Sequence, residues 1–127
     1  MKIKLFFMFS FLMIQSLMAA PISTIGPKEA LEMVKENKAV FVDVRETEEL
    51  KSGMVKGAIM LPLSLMNTDA FEEMIQSLPT DKTLILYCKS GRRAGIMGTE
   101  LEKRGYPVLN MGAFEAARNA GLPTTTH

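Results

Sequence analysis

The segment Thr83-Leu-Ile-Leu-Tyr-Cys-Lys-Ser-Gly-Arg-Arg93 gives the clearest indication of the fold, and it holds the only cysteine of the 127-residue chain. Its first five residues are mostly aliphatic, β-branched or aromatic, which predicts a buried strand. A short loop follows, and the residues beyond it predict a helix because apolar side chains recur three and four apart. These apolar residues are Ala94, Met97 and Leu101. A buried strand that runs through a short loop into a helix is typical of α/β proteins.

The rest of the chain alternates between strand and helix patterns in the same way. Further strands are predicted at 39–44, 58–61 and 108–111, the first two of them buried. Helices are predicted at 27–37, 47–51, 69–78 and 113–120, with Thr47 as the N-cap of the second and the cluster Asn67, Thr68 and Asp69 before the third. We therefore expect a central parallel sheet with helices on both faces, and Cys88 at the carboxyl end of a strand, where such sheets bind ligands.

Composition excludes several classes of protein. A single cysteine forms no internal disulfide, and one histidine, His127 at the last position, leaves no cluster for a structural metal. Lys2 and Lys4 account for two of the 15 basic residues, so the remaining 107 residues carry 13 basic and 14 acidic side chains. Without a basic surface, nucleic acid is not an expected partner. We expect no metal and no cofactor.

The first 20 residues have the layout of a secretory signal. Two lysines precede an apolar segment from Leu5 to Ile14, and small residues end the stretch at Ala19 and Ala20. The apolar segment is shorter than a membrane-spanning helix needs, which disfavours the alternative of an uncleaved anchor. We predict a signal peptide at 1–20, one domain at 21–127, a periplasmic location and no stable membrane insertion after cleavage.

The loop after the central strand combines a thiol with features that favour anions. Cys88 is predicted beside the N-terminus of a helix, where free N–H groups and the helix dipole favour the thiolate. Lys89, Arg92 and Arg93 add positive charge, and Gly91 allows the backbone to curl so that its amides converge. This arrangement predicts an anion-binding loop with a nucleophile at its floor.

Each of these residues also has a structural interpretation. Cys88 alone would more often be a small apolar residue that completes a core strand. Ser90 suits a tight turn as well as it suits a hydroxyl donor to a bound anion. Asp43 and Arg45 end another predicted strand at the same edge of the sheet, and we interpret them as a structural ion pair more readily than as substrate contacts.

Several segments resemble the signatures of the single-domain rhodaneses, sulfurtransferases that carry a sulfane sulfur as a cysteine persulfide. They are the loop Cys88 to Arg93, the segments Asp43-Val-Arg-Glu46, Gly53-Met-Val-Lys-Gly-Ala-Ile59 and Leu61-Pro-Leu-Ser64, and the closing segments Gly112-Ala-Phe-Glu-Ala116 and Gly121-Leu-Pro123. They occur in the order of the family, and two positions depart from it. Met54 stands where the family usually has His, and Phe114 where it usually has Trp. We expect altered packing near the loop without loss of the chemistry.

The resemblance implies a thiosulfate sulfurtransferase with Cys88 as its catalytic residue. The implied substrate-binding residues are Lys89, Ser90, Gly91, Arg92 and Arg93. The partners would be a small-molecule sulfur donor and a thiophilic acceptor such as cyanide or a thiol. One alternative is a rhodanese-fold binding module with an idle cysteine. A phosphatase or arsenate reductase is disfavoured, because the resemblance implies that those enzymes need one more residue between the cysteine and the arginine.

Overall fold

The computed structural model describes residues 21–126, so the predicted signal peptide at 1–20 and His127 lie outside the described residues. Within these described residues, the α-helices are α1 (Pro27–Lys35), α2 (Asp69–Gln76), α3 (Arg92–Lys103) and α4 (Phe114–Asn119). The strands are β1 (Ala39–Asp43), β2 (Met54–Val55), β3 (Ile59–Met60), β4 (Thr83–Cys88), β5 (Val108–Ala113) and β6 (Thr124–Thr125). The 3₁₀ helices cover Thr47–Ser52 and Leu63–Leu65.

The central sheet is parallel, with the strand order β3-β1-β4-β5. Helices cover both of its faces, which confirms the predicted α/β architecture. Alternate side chains of the two middle strands separate the core into two clusters. One cluster packs against α2 and α3 and includes Val42, Leu84, Leu86 and Cys88. The other packs against α1 and α4 and includes Phe41, Ile85 and Tyr87.

Several predicted helix boundaries differ from the structure. Helix α1 ends at Lys35 instead of residue 37, because Asn37 has a left-handed φ of 61° that stops the helix. The 47–51 segment is a 3₁₀ helix whose N-cap is Glu46, so Thr47 as the cap is wrong. Glu46 and Glu49 form a reciprocal capping box, in which each carboxylate accepts the other's backbone N–H. Within the predicted capping cluster Asn67, Thr68 and Asp69, Thr68 is the residue that caps α2, since its side chain accepts the Phe71 N–H.

The strand predictions need two corrections. The predicted buried strand at 58–61 is reduced to β3, which is half-buried because it pairs only with β1 at the sheet edge. The last predicted strand, which is β5, continues to Ala113 rather than ending at 111. A short antiparallel pair of β2 and β6 was not predicted, because two-residue strands carry no periodic pattern. Within residues 21–126, no helix is long and apolar enough to cross a membrane.

Candidate functional site

The carboxyl ends of the two middle strands meet at one edge of the sheet. Asp43, the last residue of β1, is paired in register with Tyr87, and Cys88 ends β4 directly beyond it. The Val44 N–H donates to the Tyr87 carbonyl over 3.1 Å, which continues the pairing past β1. Parallel pairing therefore brings the Cys88 loop beside the turn that holds Asp43 and Arg45, as the sequence predicted.

Cys88 combines properties of both interpretations offered for it. Its side chain is buried without exposed surface and belongs to the core cluster under α2 and α3, as expected of a structural cysteine. Its Sγ also accepts a hydrogen bond of 2.9 Å from the Gly91 N–H, the amide just before α3. Among the residues that the structure describes, this is the single amide donor to Sγ, fewer than the converging set that the sequence predicted. The sulfur thus lies beneath the loop, at the helix N-terminus.

Gly91 must be glycine for the loop to keep this shape. Its φ of 96° is in the left-handed region, and a Cβ there would lie 3.1 Å from the Cα of Gly112. This close approach packs the Cys88 loop directly on β5. The amide that contacts Sγ is therefore positioned by backbone packing as well as by the turn.

Asn110 of β5 fastens the loop from the other side and was missed by the sequence analysis. Its Nδ2 donates to the Gly91 carbonyl over 2.9 Å, and its Oδ1 accepts the Gly112 N–H over 2.8 Å. The register between β4 and β5 shifts just beyond Asn110, which leaves room for these bonds. The only available signal was a lone amide side chain in an otherwise apolar strand.

Arg93 is paired with a carboxylate of its own chain. Both guanidinium nitrogens of its fork donate to Glu49, one of them over 2.8 Å, and each side chain is a little under one-third exposed. The hydrogen bond from Arg93 lowers the pKa of Glu49 from 4.5 to about 2, and Glu49 in turn raises the pKa of Arg93. Glu49 was not a predicted site residue, since no local pattern links positions 44 residues apart.

Arg45 and Asp43 form a buried ion pair, as the structural interpretation predicted. Arg45 Nη2 lies 2.7 Å from Asp43 Oδ2 and also donates to the Gly53 carbonyl over 2.7 Å. The guanidinium stacks on Phe114 at 4.4 Å from the ring centre. Phe114, which departs from the family pattern, is thus a packing residue beneath Arg45. The other departure, Met54, is half-buried in β2 and pairs with β6.

Two clefts flank the loop and separate its cations. A cleft of about 390 Å³ is lined by Lys89 together with residues of the first 3₁₀ helix and the start of α4. Arg92 lines a different cleft of about 360 Å³, beside α3 and Asn110. The structure therefore places Lys89 and Arg92 in different clefts, and Arg93 is bound to Glu49. Lys89, Ser90 and Arg92 are exposed, and no cluster of metal-ligating side chains occurs among residues 21–126.

This geometry can be compared with known proteins. The family model described as a Rhodanese-like domain matches residues 26–119, which is most of the chain. The chain belongs to the rhodanese family.

Relatives of this rhodanese-like chain include proteins named for sulfur transfer. A protein named "Sulfurtransferase" from Allochromatium vinosum is 34% identical over 86 residues, which are 66% of this chain and 76% of the relative. The uncharacterized protein slr1261 of Synechocystis is 32% identical over 103 residues, 80% of this chain. The chain spans 55% of the length of slr1261 and 22% of that of a Mycobacterium tuberculosis relative.

Solved structures share the rhodanese fold. A rhodanese-related protein from Thermoplasma volcanium has a TM-score of 0.70 at 24% identity, covering 83% of this chain and 99% of that one. A thiosulfate sulfurtransferase from Pseudomonas aeruginosa has a TM-score of 0.68 at 25% identity, covering 83% of this chain and 19% of that one. The first likeness concerns the fold alone.

Proposed function

We propose that this protein is a thiosulfate sulfurtransferase that carries sulfur as a Cys88 persulfide. The observation that carries the proposal is the hydrogen bond of 2.9 Å from the Gly91 N–H to Cys88 Sγ, at the N-terminus of α3 in a rhodanese-like domain. An amide donor and a helix N-terminus both stabilise negative charge on the sulfur. The same donor would stabilise the anionic terminal sulfur of a persulfide.

The proposed reaction consists of two displacements at sulfur. The Cys88 thiolate attacks the outer sulfur of thiosulfate, the bond between that sulfur and the sulfonate sulfur breaks, and sulfite leaves with the electron pair. A thiophilic acceptor such as cyanide then attacks the outer sulfur of the persulfide, and Cys88 leaves as a thiolate. Neither step consumes an external oxidant or reductant. Lys89 and Arg92 are the exposed cations of the loop that would attract the anionic donor.

Intact-mass measurement tests the proposal directly. The reduced protein mixed with thiosulfate is expected to gain the mass of one sulfur atom and to lose it when cyanide is added. Cys88→Ser should gain nothing, and a control variant, Ser77→Ala at the exposed end of α2, should still load sulfur. A wild-type protein that gains no sulfur from thiosulfate would refute the assignment.

The complete burial of Cys88 favours one alternative, a binding module whose cysteine is part of the core. Transfer requires that the loop admit the donor to Sγ, whereas a binding module needs no access to the sulfur. The reaction with iodoacetamide separates the two, because the chain has only one thiol to alkylate. Alkylation of the folded protein, at a rate much faster than unfolding, is expected for the sulfurtransferase.

We also propose a periplasmic location, from the layout of residues 1–20. The expected result is a mature protein that begins at or near residue 20 or 21 and is released with the periplasmic fraction. N-terminal sequencing of that fraction tests this, and recovery of chains that begin at Met1 only in the cytoplasm would contradict it.

A further inference from the structure

The cleft of about 390 Å³ beside Lys89 is open to a ligand of small-molecule size. One wall belongs to the Cys88 loop, one to the 3₁₀ helix Thr47–Ser52 and one to the start of α4. Its charged lining residues are Arg45, Glu48, Glu49, Lys51, Lys89 and Glu115. Since Lys89 directly follows Cys88, a ligand in this cleft lies next to the sulfur-bearing loop.

The lining contains three basic and three acidic residues, and half of these charges are already paired. Arg45 is bound to Asp43, as described above. Glu49 is bound to Arg93. Glu115 is paired with Arg118, its neighbour in α4. These three lining charges are neutralised by other parts of the protein, so they contribute little to the attraction of a ligand.

The other three charges, Lys51, Lys89 and Glu48, form no ion pair with any residue in the range 21–126. All three are exposed. Two ammonium groups attract a carboxylate, and one carboxylate attracts an ammonium group. Because this set carries both signs, it matches a zwitterion better than a dianion such as thiosulfate.

We propose that this cleft is the acceptor site and that it takes a small thiol carrying both an ammonium group and a carboxylate. This inference rests on the proposed sulfurtransferase function. The thiolate of the acceptor attacks the outer sulfur of the Cys88 persulfide, the bond between the two persulfide sulfurs breaks, and Cys88 leaves as a thiolate. The product is the persulfide of the acceptor, and the thiol proton goes to solvent. Glu48 selects the ammonium group and Lys51 the carboxylate.

The test uses four small thiols that share a two-carbon thiol skeleton and carry both charged groups, one of them or neither: cysteine, cysteamine, 3-mercaptopropionate and 2-mercaptoethanol. Protein loaded with thiosulfate is freed of donor, and the loss of the added sulfur is followed by intact mass. Each rate is divided by that for 2-mercaptoethanol, which carries neither charged group, so that differences in loading or folding between variants cancel. Glu48→Gln should lower the ratios for cysteine and cysteamine about two- to fivefold, the effect of one exposed charge pair.

Lys51→Gln should instead lower the ratios for cysteine and 3-mercaptopropionate by a similar factor. Glu73→Gln and Lys56→Gln are the matched controls, because both residues are exposed and neither lines the cleft. Ratios that stay unchanged in the cleft variants, or that change as much in the controls, overturn the cleft assignment. If thiosulfate loads no sulfur, both this inference and the proposed function fail. If cyanide removes the loaded sulfur but the rate ratios of the charged thiols are the same in the cleft variants as in the wild type, only this inference fails.

Discussion

Replacing Gly91 with alanine tests the link between the loop backbone and the sulfur. Gly91 has a φ of 96°, and its N–H is the donor to Cys88 Sγ. An alanine there must either keep a left-handed backbone at a cost or shift the loop away from β5. Because the new Cβ would also crowd the backbone of Gly112, the loop must shift, and this shift disturbs the amide that donates to Cys88 Sγ. Stability and sulfur loading should therefore fall together.

The expected loss has two parts. A non-glycine residue held at such a φ costs about 1–3 kcal/mol. The new Cβ would also lie 3.1 Å from the Cα of Gly112. The Gly112 backbone cannot move away easily, because its N–H donates to Asn110 Oδ1. Relieving this contact costs roughly another 1 kcal/mol, as overpacking does. We therefore expect a decrease of about 2–4 kcal/mol in the free energy of unfolding, within the 5–15 kcal/mol typical of small domains.

Gly57→Ala is the matched control for this substitution. Gly57 also has a positive φ, 81°, but a Cβ there would meet no atom within 4 Å. It should show the backbone cost alone, with normal sulfur loading. Urea unfolding of both variants gives the difference in stability, and intact mass after thiosulfate gives the loading rate, which should fall at least about tenfold in Gly91→Ala. Equal destabilisation of the two variants, with normal loading in both, would show that the packing of Gly91 on β5 does not position the amide at the sulfur.

Three further predictions concern the contacts around the loop. The pKa of Glu49 is lowered to about 2 by Arg93, so the pair stabilises the fold above pH 4.5 and this stability is lost as the pH falls toward 2. Because solvent partly screens the pair, Glu49→Gln should lower the free energy of unfolding by about 1 kcal/mol at pH 6. In thermal unfolding, the difference in stability between the variant and the wild type should disappear near pH 2. Asn110→Ala removes two hydrogen bonds, so urea unfolding should show a decrease of about 1–3 kcal/mol in the free energy of unfolding, and sulfur loading should slow. Normal loading would argue against a positioning role for Asn110. Tyr87→Phe removes the hydroxyl that accepts the buried Val55 N–H over 3.0 Å. Calorimetry should therefore show a decrease of about 1–3 kcal/mol in the free energy of unfolding, and an unchanged unfolding temperature would contradict this prediction.

Much of the fold was predictable because its signals are local. The β4 strand, the loop and α3 follow from residue types and from apolar spacing within some 20 consecutive positions. The cluster Asn67, Thr68 and Asp69 was recognisable as a capping region from its place before an apolar pattern, and the structure makes Thr68 the cap. The errors fall where local signals are weak or compete. Glu46 outcompeted Thr47 as a cap because a carboxylate three residues on completed a capping box, and β2 and β6 are too short to show a period.

The candidate site divides in the same way. From the sequence alone came the position of Cys88 between a buried strand and a helix N-terminus, the need for Gly91, and the nearness of Asp43 and Arg45, because parallel strands bring their carboxyl ends to one edge. The tertiary structure alone decided that the sulfur is buried, that Glu49 neutralises Arg93, and that Asn110 holds the loop. These contacts join residues between 19 and 44 positions apart. No periodic pattern encodes such pairs, since they exist only once the sheet and its helices have packed.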